Sequence, residues 1–402
     1  MLGLVGPTLL QLLYMVATAR ALYPTEFGQL MVCVAVTSVL SFFAGIGADG
    51  VGLKATARST DLAGHYLGQS TVLIALTAPP LILIAVGIVD FIDRTNLPLW
   101  LPAAIGLSEI AFNRIAMACQ RVFIAFSEQF RAALVGMLIP LGRLLSALIV
   151  VAVAPSQENT LATFALAYTL STLATLVICI VYTVRRTGWP SFSLQGMNLS
   201  EGLSFALSWV NGSLQVECDK MLLSYFATPA AVGLYSLGSR LMDGCFAPLR
   251  AIRIALSARM MRAGAGGHSA MVRFVLRILP VSIAYGLFAW ATIAFLAPLA
   301  PYVFGERYGE LVRILPILGA LPLLRGIADI GGEIFVCSDR VAVSTAIQIS
   351  TSVLRIAIGI VLIREAGIDG AVTAALSATV LAAIVFWSVA FLLNRRTPVV
   401  VS

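Results

Sequence analysis

Charged side chains lie inside long apolar segments of this sequence, and they have the chemistry to bind a ligand. Six cations have this placement: Arg114, and the five candidates Arg143, Arg240, Arg325, Arg355 and Lys220. A guanidinium makes paired, charge-assisted hydrogen bonds to phosphate or carboxylate oxygens. We therefore predict that these five candidates bind an anionic ligand.

Ion pairing within the protein is the alternative role for several of these cations. Side chains three or four residues apart on a helix can touch. Three charge pairs have this spacing: Arg240 with Asp243, Arg325 with Asp329, and Glu217 with Lys220. Both roles stay open for these pairs on sequence alone.

Arg143 and Arg355 differ from the cations of these three pairs because neither has an acid within four residues. Each of them either pairs across helices or binds an anionic ligand. Arg114, five residues after Glu109, leaves the same alternatives open.

The acidic groups in these segments have a second possible use. Asp243, Asp329 and Glu333 each lie within an apolar segment. A carboxyl group in a cavity of low dielectric constant can take up and release a proton as well as bind a cation. We predict these three acids as candidates for proton or sodium coupling.

The composition identifies the elements that carry these residues. Hydrophobic residues make up 59% of the 402 residues and charged residues 11%, and the mean hydropathy is +0.97. An average soluble domain is about 25% charged, so we predict an all-α integral membrane protein. A helix needs about 20 apolar residues to span the bilayer. Twelve spans are predicted, at residues 2–20, 28–47, 66–89, 98–118, 132–154, 160–184, 202–225, 231–255, 273–297, 311–335, 341–363 and 369–393.

Apart from the charges near span ends, which are counted with the loops, twelve ionisable groups fall within these spans. At a helix centre each costs about 2.5–3.5 kcal/mol, so in contact with lipid the set would cost roughly 30–40 kcal/mol. These groups are therefore expected to face protein or water.

The loops between the spans differ in positive charge. One set of alternate loops, with the C-terminal tail, holds fifteen Lys and Arg residues, and the other set holds five. Cytoplasmic loops carry the excess of positive charge, so both termini are predicted to be cytoplasmic. The formal charge of +7 is scattered over span ends, which does not indicate nucleic-acid binding.

An internal repeat predicts two halves, residues 1–195 and 196–402. The segment ALYPTEFGQL (21–30) aligns with FATPAAVGLY (226–235), so that Pro24 matches Pro229 and Gly28 matches Gly233. Arg143 and Arg355 correspond in the fifth span of each half. Six spans per half make the repeats parallel, with an axis along the membrane normal, and we predict a central cavity between the two bundles.

Four segments resemble the Wzx-type polysaccharide-biosynthesis flippases of the multidrug/oligosaccharidyl-lipid/polysaccharide (MOP) exporter superfamily. They are ARALYPTEFGQL, DKMLLSYFATPAAVGLYSLGSRL, VFGERYGELVRILPILGALPLLRGI and GIDGAVTAALSATVL. Tyr23 stands where that family usually has glycine. The resemblance covers nearly the whole chain and implies a MATE-like fold.

The resemblance also implies a cargo: an oligosaccharide linked to polyprenyl pyrophosphate, moved across the bacterial cytoplasmic membrane by alternating access. It implies ion-gradient coupling and, as partners, membrane lipids, a polysaccharide polymerase and a chain-length regulator. No enzymatic activity, cofactor or metal is expected.

Three alternatives remain open. A multidrug or organic-cation antiporter of the same fold would favour acids over cations in its cavity. A lipid II flippase has fourteen spans in its known members. A membrane-embedded glycan polymerase or ligase would usually have a large loop or extramembrane domain, and no GxxxxGK[ST] motif for ATP is present.

Overall fold

A computed structural model describes residues 2–93, 97–153, 160–194 and 199–396. The chain divides into two compact units, Met1–Gly233 (unit 1) and Leu234–Ser402 (unit 2). The predicted boundary between the halves, at residues 195 and 196, lies outside the described residues.

The described residues are almost entirely helical and contain no strand, which confirms the all-α fold class. A π-helical turn, Leu107–Phe112, joins α5 to α6. The α-helices are α1 (Leu2–Ala21), α2 (Pro24–Ser41), α3 (Ala48–Arg58), α4 (Ala63–Ile92), α5 (Trp100–Gly106), α6 (Asn113–Ala125), α7 (Gln129–Val153), α8 (Thr160–Thr187), α9 (Leu199–Phe226), α10 (Pro229–Ala265), α11 (His268–Leu296), α12 (Ala300–Phe304), α13 (Leu311–Leu318), α14 (Leu321–Cys337) and α15 (Val341–Arg396).

Within the described residues, six helical segments are long and apolar enough to cross a membrane, or seven if α2 and the bent segment after it form one span. The longest of them, Val341–Asn394, has 54 residues, more than twice the roughly 20 that one span needs. Gly367 breaks it with φ 54° and ψ −123°, so it covers the last two predicted spans. This helix order is consistent with the prediction of about twelve spans.

The second predicted span is bent where the chain leaves α2. Gly45, Ile46 and Gly47 have φ values of 71°, 50° and 68°, and the segments on either side of the break are inclined by 45°. Glycine adopts this left-handed conformation freely, whereas the β-branched Ile46 is strained in it. The bend sets the start of α3 and therefore the position of Asp49 in its first turn.

Two predicted element boundaries differ from the structure. The eighth span was predicted to end at residue 255, but α10 continues to Ala265, because Gly and Pro are absent between Pro248 and Gly264. The predicted span 311–335 is divided into α13 and α14. Pro322 lies in the first turn of α14, where its missing N–H needs no partner, so a new helix starts there.

The two copies of the repeated motif pack against each other within unit 1. A Cβ atom on Gly28 would collide with the carbonyl oxygen of Pro229, and one on Gly233 with the carbonyl oxygen of Pro24. Glycine at both positions therefore allows the first turns of α2 and α10 to approach backbone to backbone. The repeat is a reciprocal contact as well as a similarity of sequence.

Candidate functional site

A stripe of charged side chains joins α10 and α14 in unit 2 and contains four of the predicted site residues. Arg325 Nη1 lies 2.7 Å from Asp243 Oδ1. Arg253 Nη1 lies 2.7 Å from Asp329 Oδ2, and Arg253 Nε lies 3.5 Å from Glu333 Oε1. We call these five residues the charged stripe.

The pairing in this stripe differs from the pair that sequence spacing offered as an alternative. That spacing placed Asp329 one turn further along the same helix, but Arg325 pairs with Asp243 of α10. Arg325 and Asp329 lie on one face of α14, and each meets an opposite charge on α10. The i, i+4 spacing therefore identifies a shared face and does not identify the partner.

Sequence reasoning missed Arg253, because this arginine lies at the end of the eighth predicted span and was counted only among the cytoplasmic positive charges. The residue lies within the described helix α10 and holds two carboxylates, those of Asp329 and Glu333. The absence of Gly and Pro after Pro248 was a sequence signal that the helix continued beyond Arg253.

A cavity of about 30 Å³ opens beside the charged stripe in unit 2. Arg253 and Asp329 line it together with mostly apolar side chains of α10, α11 and α14. The hydroxyl of Ser282, which also lines it, is buried and has no hydrogen-bond partner in the described residues. The cavity therefore offers charge at one side and an apolar wall elsewhere.

The predicted site residue Arg143 is held by a buried pair in unit 1. Arg143 of α7 is ion-paired with Glu109, which lies in the π-helical turn. The Tyr168 hydroxyl of α8 donates a hydrogen bond to the same carboxylate oxygen, and the Arg143 guanidinium lies 4.7 Å from the Tyr168 ring centroid. Of the two alternatives left open for Arg143, pairing across helices is present in this structure.

A third side chain also donates a hydrogen bond to the Glu109 carboxylate. The Asn113 amide donates to its second oxygen at 2.9 Å. Arg143 Nε, which is buried, has no hydrogen-bond partner in the described residues. A π-helical turn inserts one residue into a helix and is frequent at functional sites. Here it carries the acid to which three helices contribute donors.

Lys220 is also buried in unit 1. Its Nζ lies 2.5 Å from Glu217 Oε2 on the same helix, and its side chain is 1% exposed. The i, i+3 pair that spacing offered as an alternative is therefore present, and the role of Lys220 in ligand binding stays a prediction. Arg114 does not pair with Glu109, since its partner is Asp49 at 2.9 Å.

The remaining predicted cations lie on two helices of unit 2. Arg240 is half-buried on α10, three residues before Asp243. Arg355 of α15 is buried, with 9% of its surface exposed. Both arginines make further contacts in the protein, so their roles as ligand-binding residues stay predictions.

The charged stripe has the chemistry to exchange partners. The side chains of Arg325 and Asp243 are 20% and 24% exposed, and those of Arg253 and Asp329 are 31% and 39% exposed. An incoming phosphate accepts the same guanidinium hydrogen bonds that a carboxylate accepts. A freed carboxylate can then take up a proton or a cation.

The fold is that of MOP-superfamily transporters. The chain is similar to the inward-facing conformation of a multidrug resistance MATE family transporter, with a TM-score of 0.77, 15% identity, and coverage of 97% of this chain and 95% of that chain. It is also similar to the lipid II flippase MurJ in an inward closed conformation, with a TM-score of 0.70, 9% identity, and coverage of 95% and 85%. No curated protein matches the sequence.

The family is defined by sequence. Residues 1–243 match the polysaccharide biosynthesis protein family, and the chain belongs to that family. The resemblance predicted from the four motifs is thereby confirmed.

Proposed function

We propose that this protein is a flippase that moves a polyprenyl-pyrophosphate-linked oligosaccharide across the bacterial cytoplasmic membrane by alternating access. Both termini lie in the cytoplasm in this proposal. The product supplies the synthesis of a polysaccharide, with a polymerase and a chain-length regulator as partners. Family membership and a transporter fold support the proposal.

The observation that carries it is the charged stripe of unit 2. Half-exposed ion pairs inside a membrane fold are costly, and a transporter of an anionic lipid needs such cations. Arg253 and Arg325 are exposed enough for a pyrophosphate to replace their carboxylate partners. The apolar cavity beside Arg253 gives a lipid-compatible wall next to the charge.

The predicted residues take different roles in this mechanism. Arg325, with Arg240 on α10, contacts the anionic head group, and Arg253 joins them. Arg143, Lys220 and Arg355 bind it only after their present contacts are exchanged. Asp243, Asp329 and Glu333 bind a proton or sodium ion when the head group displaces them from the arginines.

An organic-cation antiporter is the second candidate function. Asp329 and Glu333 share Arg253, so the charged stripe has three carboxylates and two guanidiniums. A cationic substrate would be attracted by this excess. The excess of carboxylates in the charged stripe fits a cation antiporter. The further arginines predicted to bind the ligand, Arg143, Arg240 and Arg355, fit a flippase.

The test is a leaflet-accessibility assay in proteoliposomes with a fluorescent polyprenyl-pyrophosphate oligosaccharide. Wild type is compared with Arg325→Ala and with Arg313→Ala, a matched control whose ion pair with Asp369 is exposed in the same unit. We expect translocation by wild type and by the control, and at least a tenfold loss in Arg325→Ala, corresponding to about 1.4 kcal/mol.

Two outcomes would contradict the proposal. If Arg325→Ala translocated the lipid as fast as wild type, the charged stripe would have no part in the mechanism. Absence of translocation, together with proton-coupled uptake of an organic cation, would favour the antiporter.

A further inference from the structure

A second charged cluster lies in unit 1, apart from the residues assigned to the cargo. Asp49 of α3 accepts ion pairs from two arginines of α6: Arg114 Nη2 at 2.9 Å and Arg121 Nη1 at 2.7 Å. The Arg121 guanidinium lies 4.0 Å from the ring centroid of Trp209. The cluster therefore joins α3, α6 and α9.

The charges of this cluster do not balance. Two guanidiniums share one carboxylate, and within the described residues neither arginine has another acidic partner. Arg114 is 1% exposed. Within the described residues, its Nε and Nη1 atoms have no hydrogen-bond acceptor. Arg121 Nη1 lies near Asp49 but makes no hydrogen bond of good geometry. Buried donors without acceptors destabilise a protein, so an additional anion would be stabilised here.

A small cavity of about 10 Å³, room for about one water molecule, lies directly beside the cluster. Arg121 and Asp49 line it, and Thr56, Tyr66 and Ser70 contribute hydroxyl-bearing side chains. This volume is far below the roughly 300–1,000 Å³ of pockets for drug-sized ligands, so only a small anion that displaces the Asp49 carboxylate from Arg121 would fit. A hydroxyl can donate to an anion while the guanidinium supplies charge.

The surrounding backbone holds the cluster in place. The three left-handed residues Gly45, Ile46 and Gly47 set the start of α3 and the position of Asp49. A Cβ on Gly50 would meet the Phe205 and Trp209 rings at 2.9 Å, so this turn of α3 rests closely on α9. The arginines are therefore oriented before any ligand arrives.

We propose that Arg121, supported by Arg114, binds a phosphate-class anion in this cavity, with Asp49 as the competing internal partner. The recognised chemistry is a tetrahedral phosphate group, carried by either free phosphate or a phospholipid head group. This site is independent of the cargo assigned above and stands if that assignment fails.

The site contains its own reporter. An anion drawn to Arg121 changes the environment of Trp209, so binding is read from Trp209 fluorescence, with Trp209→Phe as the blank. The protein is placed in nanodiscs of neutral phosphatidylcholine and titrated with inorganic phosphate and pyrophosphate. A second arm replaces part of the lipid with phosphatidic acid or phosphatidylglycerol.

Two substitutions should act in opposite directions. Arg121→Gln removes a charge-assisted contact and should weaken binding by about tenfold or more. Asp49→Asn removes the competing carboxylate and should tighten binding. Arg186→Gln, at an exposed ion pair with Glu128, is the matched control and should change nothing.

The outcomes separate the sources of the anion. Saturable binding of inorganic phosphate that depends on Arg121 indicates a free anion, and a response in the anionic-lipid arm alone indicates a lipid head group. A response to pyrophosphate alone indicates the head group of the proposed cargo and would overturn an independent site. Arg121→Lys keeps the charge and should retain weakened binding if Arg121→Gln does not fold. No response in either arm, or binding unchanged by both Arg121 substitutions, would overturn the proposal.

Discussion

The ion pairs of unit 1 and unit 2 use the same residue types in different environments. In unit 1 the side chains of Arg143 and Glu109 are 10% and 5% exposed, and a tyrosine hydroxyl and an amide complete the carboxylate. In unit 2 the Arg253–Asp329 pair is at least three times as exposed, and Arg253 is shared with a second acid. The Arg143–Glu109 pair is buried and fully partnered at its carboxylate, whereas the partly exposed Arg253–Asp329 pair can exchange a partner for a ligand.

The difference in burial changes what such a pair contributes. Removing one partner of a buried pair leaves an uncompensated charge and costs about 3–5 kcal/mol. An exposed pair contributes about 0–1 kcal/mol, because solvent screens it and its side chains lose entropy. We therefore expect the Arg143–Glu109 pair of unit 1 to hold helices together and the pairs of the charged stripe to serve a ligand.

The strongest test of this comparison is Arg143→Ala. It leaves Glu109 buried without its cation, so the free energy of unfolding should fall by about 3–5 kcal/mol. The measurement is denaturant unfolding in detergent. The double variant Glu109→Gln with Arg143→Met removes both charges at similar volume and should recover most of the loss. If Arg143→Ala were as stable as wild type, burial would not explain a difference in role between the Arg143–Glu109 pair and the charged stripe.

Arg253→Ala should give the opposite pattern. The pair is half-exposed, so the free energy of unfolding should change by less than about 1 kcal/mol. Translocation should fall at least tenfold, equivalent to about 1.4 kcal/mol. Unfolding and translocation are measured on the same preparation, with Arg313→Ala as control. A large loss of stability would make Arg253 a structural residue like Arg143.

The acids of the charged stripe allow a narrower test. Asp329→Asn and Glu333→Gln keep hydrogen-bonding groups but remove the charges that bind a proton or sodium ion. We expect translocation to lose most of its response to an imposed pH or sodium gradient while exchange at equilibrium continues. Wild-type gradient dependence in both variants would exclude these acids from coupling.

The smallest effect is expected at an exposed pair within unit 1. Glu128 lies in the loop before α7 and accepts hydrogen bonds from Arg131 and Arg186 at 2.8 and 2.9 Å. Desolvation alone would raise its pKa, but these two guanidiniums outweigh that effect and lower the pKa of Glu128 below its ordinary value.

A carboxyl group with a lowered folded-state pKa stabilises the protein above its unfolded pKa of about 4.3, and that stabilisation is lost as the pH falls through the folded value. The thermal midpoint of wild type should therefore fall slightly more than that of Glu128→Gln between pH 5 and pH 3. Equal falls would show that this ion pair contributes nothing measurable.

The sequence alone determined the class of the protein and the position of most helices along the chain. Apolar runs, Pro and Gly at junctions, and the cost of charge in lipid depend on local composition, which is why the spans and the family resemblance could be predicted. The same reasoning identified which residues carry unusual charge, including Glu217 with Lys220, whose pairing follows from spacing on one helix.

Only the tertiary structure decided the partners across helices. Arg325 takes Asp243 and not Asp329, Arg114 takes Asp49 and not Glu109, and Arg143 takes Glu109 with the help of a π-helical turn. Sequence spacing restricts contacts along one helix, whereas contacts between helices depend on rotation, bending and the exact end of each element. For a charge in a membrane that partner decides its role, because burial with a partner stabilises the fold and partial exposure leaves the charge available to a ligand.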